Sequence, residues 1–190
     1  MQLILASSSP RRQALLRSAG FEFEVRPSSV VEESLPGEAP VTLVRRLAHE
    51  KARQVAAQSH AESLVLGADT SVVVDCDVLG KPGDREDASR MLQMLSGRSH
   101  QVLTGVCLVR APGQIEALEH SSTVVWFREL SATEIQDYVS SGEPMDKAGA
   151  YAIQGRASRF VTRIEGCYSN VVGLPLSLVD EMLRRVVNAS

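Results

Sequence analysis

Long apolar runs are missing from this chain of 190 residues. No stretch approaches the roughly 18 consecutive apolar residues of a membrane span, although 44% of the residues are apolar. Lysine is scarce: Lys51, Lys81 and Lys147 stand against 17 arginines. The three cysteines, Cys76, Cys107 and Cys167, lie far apart and form neither a CxxC pair nor a Cys/His ligand spacing. They read as free thiols, mostly filling the core. His49, His60, His100 and His120 are scattered with no HExxH among them, which argues against zinc. A Walker GxxxxGK(S/T) is absent, and Ser7 to Ser9 lack the GxSxG surroundings of a hydrolase nucleophile. A net charge of −3 and aromatics at 4% argue against general nucleic-acid binding. The opening MQLILASSSPRR carries its arginines after the apolar run, the reverse of a signal peptide, so the cytoplasm is the default expectation.

What is present suits one folded domain. A chain of this length buries about 70% of its extended surface, enough for one sizeable core. Residues 2–6 read as a short buried strand running into a helix that Ser9 caps and Pro10 begins, with Leu15, Leu16 and Ala19 inward. Residues 21–27 alternate as a second strand, followed by a polar loop to about Pro40. A long helix is predicted over 41–58, its stripe formed by Val41, Val44, Leu47, Ala48, Ala52 and Val55. Two apolar runs, 64–66 and 72–74, are interrupted by Gly67-Ala68-Asp69-Thr70, with a turn at Asp75-Cys76-Asp77. A helix over 85–95, β runs at 100–110 and 115–130, and a capping box Ser131/Glu134 follow. Trp126 and Phe127 read as core. A strand at 158–164 and a helix from about Pro175 to Val187 complete an α/β fold with a mixed sheet.

Three places invite chemistry. Ser9 and the first helical turn, with Arg11 and Arg12, would make a phosphate cradle of hydroxyls, amides and guanidinium forks; simple capping with solvated arginines is the bland alternative. Lys51 points between Val44, Leu47, Ala48 and Val55, in the middle of an apolar stripe. Burial there is costly unless an anion faces it, although snorkelling past Ala48 would also serve. Asp69 ends a strand-like run, where Gly67 and Ala68 leave room for a ligand, and one carboxylate can bind a divalent ion or accept a proton from water. Lys81, between Gly80 and Pro82, returns toward the same edge. Four cations, one or two carboxylates and no covalent nucleophile suit metal-assisted attack of water on a polyphosphate.

The segments LILASSSPRRQALL (3–16), RLAHEKA (46–52), LGADTSVV (66–73), LGKP (79–82), LSGRSHQVLTGV (95–106), EPMDKAGAYAIQG (143–155) and VVGLPL (171–176) carry a resemblance over nearly the whole chain. Together and in this order they resemble the Maf family of nucleotide pyrophosphatases. The resemblance implies a single domain over 1–190 and an α/β fold with a mixed twisted sheet and flanking helices. It also implies two lobes around a cleft, as in the inosine-triphosphate pyrophosphatase superfamily. The implied reaction is divalent-metal-dependent (Mg²⁺ or Mn²⁺) conversion of a nucleoside triphosphate to its monophosphate and pyrophosphate, in the cytoplasm; homodimers are known in the family, while the charge and the short apolar runs speak for no nucleic-acid or membrane partner.

Residue by residue, the resemblance places Ser7, Arg11, Arg12, Lys51 and Lys81 at the substrate phosphates, and Asp69 as proton acceptor and metal ligand. The family's acidic pair falls on Val31 and Glu32, so its first member is missing, with Glu33 following; Glu32 or Glu33 is left for the metal. Arg11, Thr70 and Gln154 match the branch that cleaves dTTP and UTP. A pyrophosphatase for a modified purine nucleotide such as 7-methyl-GTP, and a silent nucleotide-binding regulator of division, are the competing expectations.

Overall fold

The computed structural model describes residues 1–59 and 62–188; His60 lies outside the described residues. The elements in chain order are β1 (Gln2–Leu5), α1 (Pro10–Ser18), β2 (Glu24–Val25), α2 (Pro40–Ala56), β3 (Ser63–Val74), β4 (Asp77–Leu79), α3 (Arg85–Leu95), β5 (Ser99–Arg110), β6 (Gln114–Phe127), α4 (Ala132–Ser140), β7 (Val161–Glu165), α5 (Tyr168–Val172) and α6 (Leu176–Asn188). Three 3₁₀ turns lie between α4 and β7. The strands hydrogen-bond in the order β2-β1-β3-β5-β6-β7, with β4 on β3. Strand β1 is parallel to β2 and β3, whereas the β3/β4 and β6/β7 pairs are antiparallel. The sheet is therefore mixed, as expected.

The chain forms two compact units. The first holds residues 1–70, 104–121 and 173–190; the second holds 71–103 and 122–172. In the first, α2 lays its stripe of Ala48, Ala52, Val55 and Ala56 on Ile4, Val65, Cys107 and Val109. In the second, an aromatic cluster forms the centre. Phe127 meets His100, Tyr151 and Phe160 edge-on at 5.0, 4.8 and 6.0 Å, and Tyr138 meets Phe160 at 5.3 Å.

Several boundaries differ from the sequence reading, each for a physical reason. Strand β2 shrinks to two residues because β1 offers a short partner and Pro27, lacking an N–H, follows the last contact from Arg26 N to Leu5 O. Ala19 is exposed rather than inward. The two apolar runs at 64–66 and 72–74 are one strand, β3, which continues straight through GADT. Residues 156–160 coil as a 3₁₀ turn instead of starting a strand, and this buries Phe160 in the aromatic cluster. Trp126 alternates away from the core that holds Phe127, and Arg163 covers its ring at 4.7 Å. Among the cysteines, Cys107 is buried, while Cys76 is exposed in a turn and Cys167 lies between these extremes. The short helix α5 escaped periodicity because five residues span little more than one turn.

Candidate active site

Asp69 lies inside β3, not at the end of a run. All but one residue of that strand are buried, so its two-residue alternation cannot show in the sequence. The room left by Gly67 is taken by α2 rather than by a ligand. A Cβ on Gly67 would fall 2.1 Å from the Ala48 carbonyl oxygen, and one on Gly105 of β5 would fall 2.1 Å from that of Val44. The two glycines thus let a helix backbone approach the strands closely. That approach delivers Lys51, one turn beyond Ala48, to the strand residue Asp69.

Lys51 Nζ donates to Asp69 Oδ1 and to Glu32 Oε1, each at 2.6 Å. Lys51 is 4% exposed and Asp69 5%, so the ammonium does not snorkel. Its buried position on the apolar stripe is compensated by two carboxylates, and one of its three N–H donors remains beyond those contacts.

Glu32 arrives on the 26–39 loop, which the sequence presents as a solvated connection. The loop is instead tied to α2 at several points. Gln54 donates to Ser29 Oγ at 2.9 Å and accepts from Ser29 N at 2.8 Å. Arg46 forks onto Glu38 through Nε and Nη2, both at 2.7 Å, and Nη2 also reaches the Glu33 carbonyl at 2.9 Å. Of the two acidic candidates for the metal, Glu32 is the one whose side chain converges with Asp69.

Arg12 is a second hub. It donates from Nε to the Gly173 carbonyl at 2.8 Å, from Nη1 to Ser7 Oγ at 3.1 Å, and from Nη2 to Thr70 Oγ1 at 3.1 Å. Thr70 Oγ1 in turn lies 3.0 Å from Thr104 Oγ1. Burial pushes the Arg12 guanidinium below its ordinary value, the Asp69 and Glu32 carboxylates pull it back up, and Arg11 lowers it further. Three of its five N–H donors are spent on the protein, which fixes the fork and leaves two for a ligand. Ser9 caps α1 by accepting from Arg12 N, and Ser9 N donates to Ser7 Oγ, so two amides of the expected cradle are already engaged.

The first unit therefore brings together Ser7, Arg12, Glu32, Lys51, Asp69 and Thr70. Thr104 and the Gly173 carbonyl join them without a local signal in the sequence. Lys81 and Gln154 belong to the second unit, and both are exposed. Gln154 sits in a turn closed by Gly155 N donating to Ala152 O at 3.0 Å. That turn is pinned by two neighbours: Tyr138 Oη accepts from Ala152 N at 3.1 Å and donates to Glu143 Oε1 at 2.8 Å, and Glu143 accepts from Arg156 N at 3.0 Å.

Among the described residues, no group of three His, Cys, Asp or Glu side chains could hold a metal ion. Asp69 and Glu32 both turn an oxygen to the Lys51 ammonium; as hard oxygen donors they are of the type a divalent ion takes when substrate oxygens complete its shell. No helix among the described residues is long and apolar enough to cross a membrane.

A buried carboxylate held by a lysine thus lies near an immobilised arginine and a row of hydroxyls. The Maf-like protein family matches residues 2–186, and the chain belongs to that family. A dTTP/UTP pyrophosphatase of Symbiobacterium thermophilum is 58% identical over 96% of this chain and 92% of its own length. Proteins of the same name from Koribacter versatilis and an Anaeromyxobacter species are each 54% identical over 97% of this chain, covering 94% and 89% of their own lengths. A solved nucleoside-triphosphatase, dITP/XTP pyrophosphatase, of Mycobacterium abscessus is 17% identical, with 67% of this chain and 73% of that one covered at a TM-score of 0.42.

Proposed function

We propose that this chain hydrolyses nucleoside triphosphates, dTTP and UTP foremost, to the nucleoside monophosphate and pyrophosphate. The observation that carries the reading is the buried Lys51–Asp69 pair, joined by the exposed Glu32 and beside Arg12, in a chain that shares more than half its residues with proteins named for this activity. Water adds across the α–β anhydride, and Asp69 takes the proton that water gives up. Lys51, donating to Oδ1, orients the carboxylate for that step. Arg12, locked by Ser7, Thr70 and Gly173, presents its remaining N–H groups to phosphate oxygens at no ordering cost during the reaction. Arg11 and Lys81 add charge to the polyphosphate, and Gln154 reads the base, with Arg11 and Thr70 tuning specificity; these roles are supported by the family resemblance. A Mg²⁺ or Mn²⁺ ion held by Asp69 and Glu32 would supply charge neutralisation at the phosphates.

The test is pyrophosphate release by the purified protein over a panel of dTTP, UTP, CTP, ATP, GTP and 7-methyl-GTP with Mg²⁺ or Mn²⁺. The expected result is the highest kcat/KM for dTTP and UTP. Preference for 7-methyl-GTP would move the chain to the other branch, and binding without turnover would make it a silent regulator.

A further inference from the structure

Arg46 opens the RLAHEKA segment, yet the chemistry above gives it no task. Its guanidinium is engaged by the protein on all three nitrogens. Nε and Nη2 fork onto Glu38, Nη2 also reaches the Glu33 carbonyl, and Nη1 lies 3.2 Å from both oxygens of Glu50. Nη1 meets the two Glu50 oxygens with one shared N–H, so four of the five N–H donors are aimed at protein acceptors, and the fork itself is committed to the loop and α2.

The loop it grips has little else to fix its path. Residues 31–37 are all exposed, with Val31 at 69% and Leu35 at 56%, so apolar burial does not hold this stretch. A loop with no buried side chains ordinarily samples many conformations, and each ordered residue costs about 1–2 kcal/mol of backbone entropy. Here the ends are stapled to α2: Gln54 takes Ser29, and Arg46 takes Glu33 and Glu38. The Glu38 side chain is 5% exposed, and its carboxyl also accepts from Leu35 N at 3.1 Å, which closes the loop's far end on itself. Arg46 holds that carboxyl down at about 2, so the clamp stays charged at any ordinary pH. Glu32 lies between the two staples, and Lys51, on the same helix, sits between Arg46 and Gln54.

We propose that Arg46 is a positioning residue: by clamping Glu38 and the Glu33 carbonyl onto α2, it fixes the loop path on which Glu32 meets Lys51 beside Asp69. The consequence for catalysis rests on the hydrolase reading above; the consequence for the loop does not. Lysine cannot replace this arginine, because a single ammonium cannot span two carboxylate oxygens and a carbonyl as the planar fork does.

The test compares Arg46→Lys, Glu32→Ala and the double variant by amide hydrogen exchange over residues 29–38 and by kcat/KM for UTP. Arg46→Lys should speed exchange in that segment by about tenfold or more while leaving the melting curve near that of wild type. It should also lower kcat/KM about as far as Glu32→Ala does, with the double variant no worse than Glu32→Ala alone. Unchanged exchange, or losses that multiply in the double variant, would overturn the proposal. Should Arg46→Lys fold poorly, Glu38→Gln breaks the same clamp from the loop side and must give the same pattern. A wild-type protein that hydrolyses none of the nucleotides would defeat the hydrolase reading, and the exchange measurement would still decide the clamp.

Discussion

Lys51 and Asp69 face each other 2.6 Å apart across the contact between α2 and β3, both nearly excluded from solvent. A buried ion pair of this kind adds little net stability over apolar packing, but removing one partner strands the other, at a cost of about 3–5 kcal/mol. Such a pair in the middle of a core stripe is better explained by a use for the carboxylate than by stability.

Asp69→Asn should abolish most turnover while the protein still folds, because the amide nearly keeps the shape and still accepts from Lys51. Lys51→Met should both lower stability and impair catalysis. Combining the two should cost less stability than the single effects added together, by about 1 kcal/mol or more, since the stranded charge is gone. Urea melts of the four proteins and steady-state kinetics decide this. A kcat for Asp69→Asn within about threefold of wild type would remove Asp69 from the chemistry.

Gly67 is the structural condition for that pair. Because a Cβ there would strike the Ala48 carbonyl, Gly67→Ala forces α2 away from β3 and should cost about 1–3 kcal/mol along with activity. Gly113→Ala is the control, since a Cβ there meets nothing within 4 Å. Superimposable melts for the two variants would refute the argument.

Lys51 and Asp69 were each legible in the sequence, and their pairing was not. A lysine on an apolar stripe demands an anion, which periodicity shows, but periodicity does not say which one. The GADT segment looked like a break because glycine usually weakens a strand; here Gly67 is where a helix backbone comes close. Arg12 in the first turn of α1 stood out as a cation at the wrong end of the dipole, and its acceptors at Thr70 and Gly173 lie 58 and 161 residues away. The loop staples at Ser29 and Glu38 are silent in the sequence for the same reason. Long-range polar contacts leave no spacing pattern to read.

His100 supplies a pH signature. It is 3% exposed, Nε2 lies 2.8 Å from Tyr151 Oη, and Nδ1 has no hydrogen-bond partner. Burial lowers its pKa to about 4, so the native protein holds it neutral while the unfolded chain protonates near 6.5. Its contribution is therefore fully present above pH 6.5, falls as pH drops from there, and levels off below 4, a loss of about 3 kcal/mol. His100→Gln keeps a partner for Tyr151 without titrating. The difference in stability between wild type and this variant should shrink across that window; parallel curves would show that His100 does not titrate as stated.

Glu32 should govern the metal requirement. Its side chain, and not that of Glu33, converges with Asp69 on Lys51. Glu32→Gln should raise the Mg²⁺ or Mn²⁺ concentration for half-maximal rate, whereas Glu33→Gln should leave it near wild type. An unchanged titration in Glu32→Gln would assign the ion to other oxygens or to bridging water.

Base choice is the last test, and the proposed function makes it turn on Gln154. Phosphates carry no base information, so discrimination needs a fixed donor and acceptor facing the ring. A glutamine amide offers both and complements the N3–H and carbonyl edge that uracil and thymine share. The turn carrying Gln154 is held at Ala152 and Arg156 by Tyr138 and Glu143, and Gly155 lies so close to the Glu143 carboxylate that a Cβ would fall 2.3 Å from Oε1. Such a turn presents its side chain from a defined backbone, as specificity requires. Gln154→Ala should lower kcat/KM for UTP and dTTP by roughly 10–100-fold, the cost of leaving base groups unpaired. Rates for poorly accepted nucleotides, whose bases do not match the amide, should hardly move, so the preference ratio collapses. A uniform loss on every nucleotide would mean that Gln154 supports the turn or the phosphates instead of reading the base.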